Sequence, residues 1–229
     1  MSRFTALGLA VLALVLHPGT SEAQAPGGGP ADGGTATTQP GIEFDYYLLS
    51  LSWSPQYCAS RPGDNSRQCR ADFDRGLVVH GLWPQMQTGR TPSCSGTSRV
   101  PPQLVEKMLA IMPTARLVQH EWEEHGACSG MSMADYIDTT ARAFSRIRIP
   151  KALRAPASPI STTVAALEKQ FSDANPGLKG NQMAIICDQE TRTEVSEIRI
   201  CLDKELNFRA CGSGNSDKCG KKALLLPVP

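Results

Sequence analysis

The sequence lacks several patterns that define common classes of functional site. It has no C-x-x-C pair, the spacing typical of zinc and dithiol sites. It has no G-x-S-x-G, the motif of serine nucleophiles on α/β-hydrolase folds. No internal repeat is visible, and the formal net charge is only +1 at pH 7. Near neutrality excludes a nucleic-acid binder that works through a large basic surface, although a pocket that handles one phosphate at a time stays possible.

Long apolar runs are also scarce. Residues 1–23 carry Arg3, an apolar stretch and then small residues up to Ala23, which is typical of a secretory signal peptide with cleavage after Ala23. The apolar stretch is shorter than the roughly 20 residues that a membrane-spanning helix needs, and no later run is apolar enough to span a bilayer. We therefore expect an exported protein, periplasmic or released into the medium, that has no membrane attachment after cleavage.

Residues 24–41 contain no aromatic and no branched aliphatic residue and are mostly Gly, Pro and Thr. Such a composition cannot bury apolar surface, so the segment is predicted to be a disordered linker. The remaining residues, 42–229, are predicted to form a single domain.

All eight cysteines follow the predicted leader. An even number of cysteines in an exported chain indicates disulfide bonds. A structural zinc site is the alternative, but every spacing between neighbouring cysteines is long, which disfavours it.

Hydrophobic periodicity predicts strands and helices along the domain. Residues 43–53 are apolar at both parities, as expected for a central strand covered on both faces. Further strands are predicted at residues 77–79, 183–187 and 198–202, and the first of these is expected to present the segment 80–85 as a loop. Apolar residues at helical spacing predict helices over residues 102–112, 115–126, 133–147 and 164–171.

The helix predicted over residues 115–126 carries the most unusual run of the chain, His120-Glu121-Trp122-Glu123-Glu124-His125-Gly126-Ala127-Cys128. At about 100° per residue, His120, Glu124, Glu121 and His125 share one arc, and Glu121 with His125 forms an i,i+4 pair. Adjacent glutamates without lysine compensation argue against an ordinary solvated face. At the helix C-terminus the dipole would favour a protonated His125, and Gly126 is expected to take the left-handed position that ends the helix.

Three histidines remain after the leader: His80, His120 and His125. A catalytic zinc site with His80 as third ligand is one interpretation, but His120 and His125 are five residues apart rather than the four that the zinc-protease motif requires. Two imidazoles suit RNA cleavage better. One can take the proton of the ribose 2′-hydroxyl, and another can protonate the departing 5′-oxygen. A third, if protonated, can hold a phosphate oxygen.

Three segments of the chain resemble the RNase T2 family of secreted ribonucleases. They are Leu51-Ser52-Trp53-Ser54-Pro55-Gln56-Tyr57-Cys58, His80-Gly81-Leu82-Trp83-Pro84-Gln85 and the run from His120 to Cys128. The resemblance extends more weakly to about Cys219. It implies an α+β fold, in which helices pack on an antiparallel β-sheet, and cofactor- and metal-independent cleavage of single-stranded RNA, but not DNA, through 2′,3′-cyclic phosphates.

The same resemblance implies roles for individual residues. His80 and His125 would form the acid/base pair, with His125 favoured as base and His80 as acid, and the sequence does not decide between the two orders. His120 would anchor the phosphate and Glu121 would stabilise the transition state. Trp83 would stack on a base, with a core tryptophan as the alternative.

This chain departs from the family pattern at two positions. Glu124 stands where the family usually has lysine, and one hypothesis is that Glu124 keeps its i+4 neighbour His120 protonated. Another is that a cation elsewhere replaces the lysine. Gln85 stands where many members have an acidic residue, which favours broad base specificity.

The resemblance also implies four disulfide bonds: Cys94 with Cys128, Cys187 with Cys219, Cys201 with Cys211 and, as the remaining pair, Cys58 with Cys69. The leading interpretation is a monomeric exported endoribonuclease. The alternatives are a catalytically weakened binding or inhibitor protein on the same fold, suggested by Glu124, and a zinc hydrolase.

Overall fold

The computed structural model describes residues 42–73, 75–88, 91–94 and 96–228. The signal peptide predicted at residues 1–23 and the linker predicted at residues 24–41 lie outside the described residues. The described chain is a mixture of helices and antiparallel strands, so the predicted α+β class is confirmed. None of the described helices is long and apolar enough to cross a membrane.

Four strands form the main sheet, in the order β2-β1-β5-β4 and with all neighbours antiparallel. They are β1 (Tyr46–Trp53), β2 (Leu77–Gln85), β4 (Met183–Cys187) and β5 (Val195–Leu202). A separate two-stranded ribbon pairs β3 (Ile160–Thr162) with β6 (Ala223–Leu225). The predicted central strand is confirmed, because β1 lies between two strands and is buried on both faces.

The part of the chain that the structure describes contains five α-helices beside the sheet: α1 (Ser54–Ala59), α2 (Pro102–Met108), α3 (Ala115–Glu124), α4 (Met133–Ser145) and α5 (Val164–Ala174). The predicted start of α3 is confirmed, since the Thr114 hydroxyl accepts a hydrogen bond from the Leu117 amide and caps the helix. Ser132 caps α4 through the Asp135 amide in the same way. Sequence analysis missed α1 and extended α2 by one turn too far.

The hydrophobic core lies between the sheet and its helices. Odd-numbered residues of β1, including Tyr47, Leu49 and Leu51, belong to the large core, where the side chains of α3, α4 and α5 also pack. Even-numbered Tyr46 and Leu48 pack on the other face with Cys201. Ser50 and Ser52 follow on the same face of β1, and their partners on β5 are charged residues.

Gly126 does not have the conformation that the sequence suggested. It opens a short 3₁₀ helix, Gly126–Ser129, and the left-handed residue is Gly130 at φ 73°. A Cβ on Gly126 would lie 2.6 Å from the Trp122 ring and 2.7 Å from the Tyr136 ring. The glycine is therefore required by close packing between α3 and α4, and the predicted role as a left-handed helix terminator is wrong.

Four disulfide bonds join Cys58 to Cys69, Cys94 to Cys128, Cys187 to Cys219 and Cys201 to Cys211. These are the pairs that the family resemblance implies. The Cys94–Cys128 bond attaches the loop after β2 to the 3₁₀ helix that follows α3. It therefore cross-links the two segments of chain that carry the histidines.

We expect replacement of both Cys94 and Cys128 by serine to lower the free energy of unfolding by about 2–4 kcal/mol, because the unfolded chain regains the entropy of a closed loop. The matched control removes Cys58 and Cys69. Its loop spans 11 residues against 34, so its loss should be smaller by about 1 kcal/mol on loop entropy alone. Urea unfolding of both variants measures the difference, and equal losses would contradict the loop-entropy explanation.

Candidate active site

His80 reaches the site through an irregularity in β2. The register pairs Ser50 with Gly81 and Leu51 with Val79, so His80 is an extra residue opposite β1 and forms a β-bulge. Bulges redirect side chains and are frequent beside active sites. In a regular strand His80 and Trp83, three positions apart, would point to opposite faces. Here their ring centroids are 5.1 Å apart.

The predicted boundary of this strand is therefore wrong. Sequence analysis ended the strand at Val79 and treated residues 80–85 as a loop, whereas β2 continues to Gln85. The prediction rested on the short β-branched run of residues 77–79, which ends before His80. The bulge at His80 interrupts the regular pairing with β1, and the pairing resumes at Gly81 and continues to Gln85.

The carboxylate of Glu121 lies at the centre of the site. Its side chain is only 2% exposed, and its Oε2 accepts a hydrogen bond of 2.8 Å from the Trp83 indole. The Nε2 of His80 is 3.6 Å from Oε1, and the Nε2 of His125 is 4.0 Å from Oε2. One carboxylate thus lies beside both imidazoles, one from a strand and one from the end of a helix.

Burial dominates the electrostatics of Glu121. It raises the pKa of this carboxyl to about 7, although the charge of His80 and the Trp83 hydrogen bond oppose the shift. Its Oε1 is buried and makes no hydrogen bond within the described residues. An unpaired buried oxygen of this kind is costly, and it is available to a substrate that enters the site.

The two imidazoles have pKa values shifted in opposite directions. Burial, together with the nearby His80 and His120, lowers the pKa of His125 to about 4. Burial also lowers the pKa of His80, but the hydrogen bond to Glu197 and the charges of Glu197 and Glu121 outweigh it and raise the net value. His125 is therefore neutral and His80 favours the protonated form over the same pH range.

The expectation that the helix dipole keeps His125 protonated is thus wrong. His125 is the residue that ends α3, but its side chain is only 18% exposed. Its Nδ1 is buried and has no hydrogen-bond partner among the described residues. Desolvation lowers the pKa of His125, and no hydrogen-bond partner in the described part of the chain stabilises the charged imidazole. This lowering is larger than the modest rise in pKa that the helix dipole would cause.

Glu197 and Arg199 on β5 complete the surroundings of His80. The Nδ1 of His80 lies 2.7 Å from Glu197 Oε1, and the Arg199 guanidinium donates to Glu197 Oε2. Sequence analysis did not select either residue. Polar residues alternate with buried apolar residues along this strand, and that alternation was the available signal, but nothing in the sequence indicates that β5 lies on the far side of β1 from His80.

The remaining predicted residues lie at different depths. His120 and Glu124 are exposed, and no ion pair joins them among the described residues, so the hypothesis that Glu124 holds a proton on His120 has no contact to support it. Gln85 is 2% exposed, and its amide donates to the Thr91 hydroxyl. Gln85 is thus buried beside the site rather than presented on its surface.

Trp83 has neighbours on several sides. The guanidinium carbon of Arg199 lies 5.2 Å from the Trp83 ring centroid, and the His125 ring is at 5.2 Å and tilted by 35°. The side chain is partly buried against Tyr46 and Leu48. These contacts make Trp83 a structural support of the site, and base stacking on its remaining surface stays a prediction.

The structure thus defines a class of protein: a disulfide-bonded α+β domain whose sheet and one helix bring two imidazoles to a single buried carboxylate. The described residues contain no group of three or more His, Cys, Asp or Glu side chains that could hold a metal ion. Beside His80 lies an open cleft of about 720 Å³, which is lined by residues of β1, β5 and the loop 188–190.

Comparisons with known proteins identify the family. The model of the Ribonuclease T2 family matches residues 44–211. A ribonuclease of Aeromonas hydrophila is 46% identical over 94 residues, which are 41% of this chain and 42% of that protein. A probable ribonuclease of Haemophilus influenzae is 33% identical over 183 residues, which are 74% of this chain and 61% of that protein. The chain belongs to the Ribonuclease T2 family.

Solved structures agree with this fold. A variant of RNase MC1 in complex with 5′-UMP superposes with a TM-score of 0.64 at 18% identity, covering 80% of this chain and 98% of that one. Trichomaglin, described as an S-like ribonuclease, gives 0.64 at 24% identity and covers 82% and 100%. The chain spans less than two thirds of the length of the two curated bacterial relatives that it matches.

We expect Gly81→Ala to disable the site, because a Cβ there would lie 1.8 Å from Glu121 Oε2. Displacing Glu121 by about 1 Å should reduce RNA cleavage by about 100-fold, with a loss of stability of about 1–3 kcal/mol from overpacking. Turnover and thermal unfolding measure the two effects.

Gly180→Ala is the control for this variant, since its Cβ would meet nothing closer than 3.4 Å. It should change neither quantity appreciably. Full turnover in folded Gly81→Ala would show that Glu121 does not need its present position.

Proposed function

We propose that this protein is an endoribonuclease that cleaves single-stranded RNA by attack of the ribose 2′-hydroxyl on the adjacent phosphate. The observation that carries the proposal is the placement of His80 and His125 on either side of Glu121, in surroundings that shift their pKa values in opposite directions. Titratable groups whose surroundings separate their pKa values are the signature of acid and base roles. Membership of the Ribonuclease T2 family supports the same reaction.

His125 is the base in this proposal, because its neutral imidazole can accept the 2′-hydroxyl proton. The 2′-oxygen then forms a bond to phosphorus as the bond from phosphorus to the 5′-oxygen breaks. His80, which carries a proton, gives it to the departing 5′-oxygen. The product is a 2′,3′-cyclic phosphate, and hydrolysis of that ring uses the two imidazoles in reversed roles. This order matches the one that the family resemblance favoured.

Glu121 stabilises the transition state. With a pKa raised by burial to about 7, its carboxyl is neutral on the acidic side and can donate a hydrogen bond from Oε1 while Oε2 accepts from Trp83. A neutral donor does not repel the phosphate and can bond the oxygen on which negative charge grows. Exposed His120, which directly precedes Glu121 on α3, holds the other non-bridging oxygen when it is protonated.

The substrate contacts follow from the same assignment. The exposed part of the Trp83 ring stacks on a base. The buried Gln85 contributes to the shape of the site by donating a hydrogen bond to the Thr91 hydroxyl. With a neutral amide rather than an acid at position 85, we expect broad base specificity. Four disulfides suit an exported protein, and we propose export by a signal peptide over residues 1–23, a linker over residues 24–41 and a monomeric domain over residues 42–229.

Product analysis on a short RNA, and on the same sequence as DNA, tests the reaction. We expect cyclic phosphate ends from RNA, no cleavage of DNA because the 2′-hydroxyl is absent, and full activity in EDTA. His80→Ala and His125→Ala should each lower kcat by at least about 100-fold. Loss of activity in EDTA would favour the zinc hydrolase instead, and RNA binding without cleavage from pH 4 to 8 would favour the binding or inhibitor protein.

The pH dependence of kcat/KM should be bell-shaped, with its maximum on the acidic side of neutrality. Activity should rise as His125 loses its proton at a pKa of about 4, and it should fall as His80 loses its proton above its ordinary range and as Glu121 ionises at about 7. Initial rates on a dinucleotide at constant ionic strength measure both limbs. A rising limb above pH 6 would contradict the assignment of His125 as the base.

A further inference from the structure

We infer that Glu197 is a positioning residue that fixes the ring and the proton of His80, and that Arg199 holds Glu197 for this task. This inference rests on the proposed acid role of His80 and extends it to a strand that none of the sequence motifs includes. Neither residue needs to touch RNA, since both act through the imidazole.

The hydrogen bonds leave the Glu197 carboxylate little freedom. Its Oε1 lies 2.7 Å from His80 Nδ1, and its Oε2 accepts a hydrogen bond of 2.7 Å from Arg199 Nε and lies 2.6 Å from Arg199 Nη2 in an ion pair. Glu197 is 13% exposed and Arg199 is 25% exposed, so the chain of contacts is largely shielded from water. Since both oxygens are engaged, neither can turn away from its partner.

The orientation of His80 follows from this arrangement. An ionised carboxylate only accepts hydrogen bonds, so Nδ1 must carry the hydrogen that it shares with Glu197. Nε2 is then the atom that faces Glu121 at 3.6 Å and the atom from which a proton can leave for the substrate. A partner on one ring nitrogen sets the chemistry of the other.

The sheet supplies this geometry directly. Glu197 and Arg199 are two positions apart on β5 and pair with Ser52 and Ser50 of β1, so the two side chains share a face. On the other side of β1, the bulge places His80 between the partners of Ser50 and Leu51. At this point of β1, between β2 and β5, the side chains on this face are those of the small residues Ser50 and Ser52. The Glu197 carboxylate therefore reaches the His80 imidazole across β1.

The two β5 residues shift the pKa of His80 in opposite directions. The Glu197 hydrogen bond and charge favour the protonated ring, and the Arg199 charge disfavours it. The charged and titratable groups that face His80 from α3 are Glu121 and His125, and those from β5 are Glu197 and Arg199. The cleft beside His80 also carries Arg61, Asp188 and Glu190. Burial lowers the His80 pKa and Glu121 raises it as well, so the β5 pair contributes to the shift in both directions without being its sole cause.

Glu197→Gln and Arg199→Met test the inference, with NMR titration of His80 and the pH profile of kcat as readouts. Glutamine keeps an acceptor for Nδ1–H but removes the charge, so the His80 pKa and the falling limb should both move to lower pH by about 1 unit. Methionine removes the opposing charge, so both should move to higher pH. KM should change less than kcat in both variants.

Glu190→Gln is the matched control, because it removes an exposed carboxylate from the wall of the same cleft. It should leave the His80 titration where it is in the wild type. Glu197→Ala should lower kcat beyond the shift seen in Glu197→Gln, since it also frees the ring, and exogenous formate should restore part of that loss.

An unchanged His80 pKa in folded Glu197→Gln, or shifts of the same sign in Glu197→Gln and Arg199→Met, would overturn the inference. The NMR titration needs no catalysis, so it decides the role of Glu197 even if the wild type fails to cleave RNA. That separate failure would refute the proposed function instead.

Discussion

The burial of one carboxylate, that of Glu121, constrains the rest of the site. A buried carboxyl is costly to ionise unless it is bonded on several sides, and among the described residues only the Trp83 indole donates a hydrogen bond to it. The carboxyl therefore shares its environment with two imidazoles at 3.6 and 4.0 Å. Its close approach to β2 also requires a residue without a side chain at Gly81. The glycine at position 81 therefore follows from making room for this group.

The asymmetry between the two histidines arises from what lies behind each ring. Beside His80, the Glu197 carboxylate of β5 forms a hydrogen bond with the ring Nδ1. Behind His125 stands the protein interior, where Nδ1 has no hydrogen-bond partner among the described residues. The same shared carboxylate thus faces one imidazole that is stabilised as a cation and one that is not. In the proposed mechanism, this difference between the neighbouring side chains makes one histidine the acid and the other the base, although both residues are of the same type.

How far the sequence predicts this arrangement depends on the range of the interactions involved. The helix from Ala115, its Thr114 cap and the i,i+4 pair of Glu121 and His125 are local, and the sequence alone indicates them. The family resemblance supplies the fold and the disulfide partners. The β-bulge at His80 depends on register with β1, and the contact between His80 and Glu197 spans 117 residues. Gly126 was misread because a glycine kept for packing and one kept for a left-handed turn are identical in sequence.

In the proposed reaction, the replacement of the expected lysine by Glu124 changes which groups can supply positive charge to the phosphate. Arg199 lies against the Trp83 ring, but it comes from a strand rather than from the helix and is already paired with Glu197. A paired guanidinium offers little net charge to a substrate. The positive charge that attracts and stabilises the phosphate must then come from the imidazoles themselves, and they carry it only while protonated. A site built in this way ties both binding and chemistry to the acidic side of neutrality, whereas a site with a free lysine would retain its cation at any physiological pH.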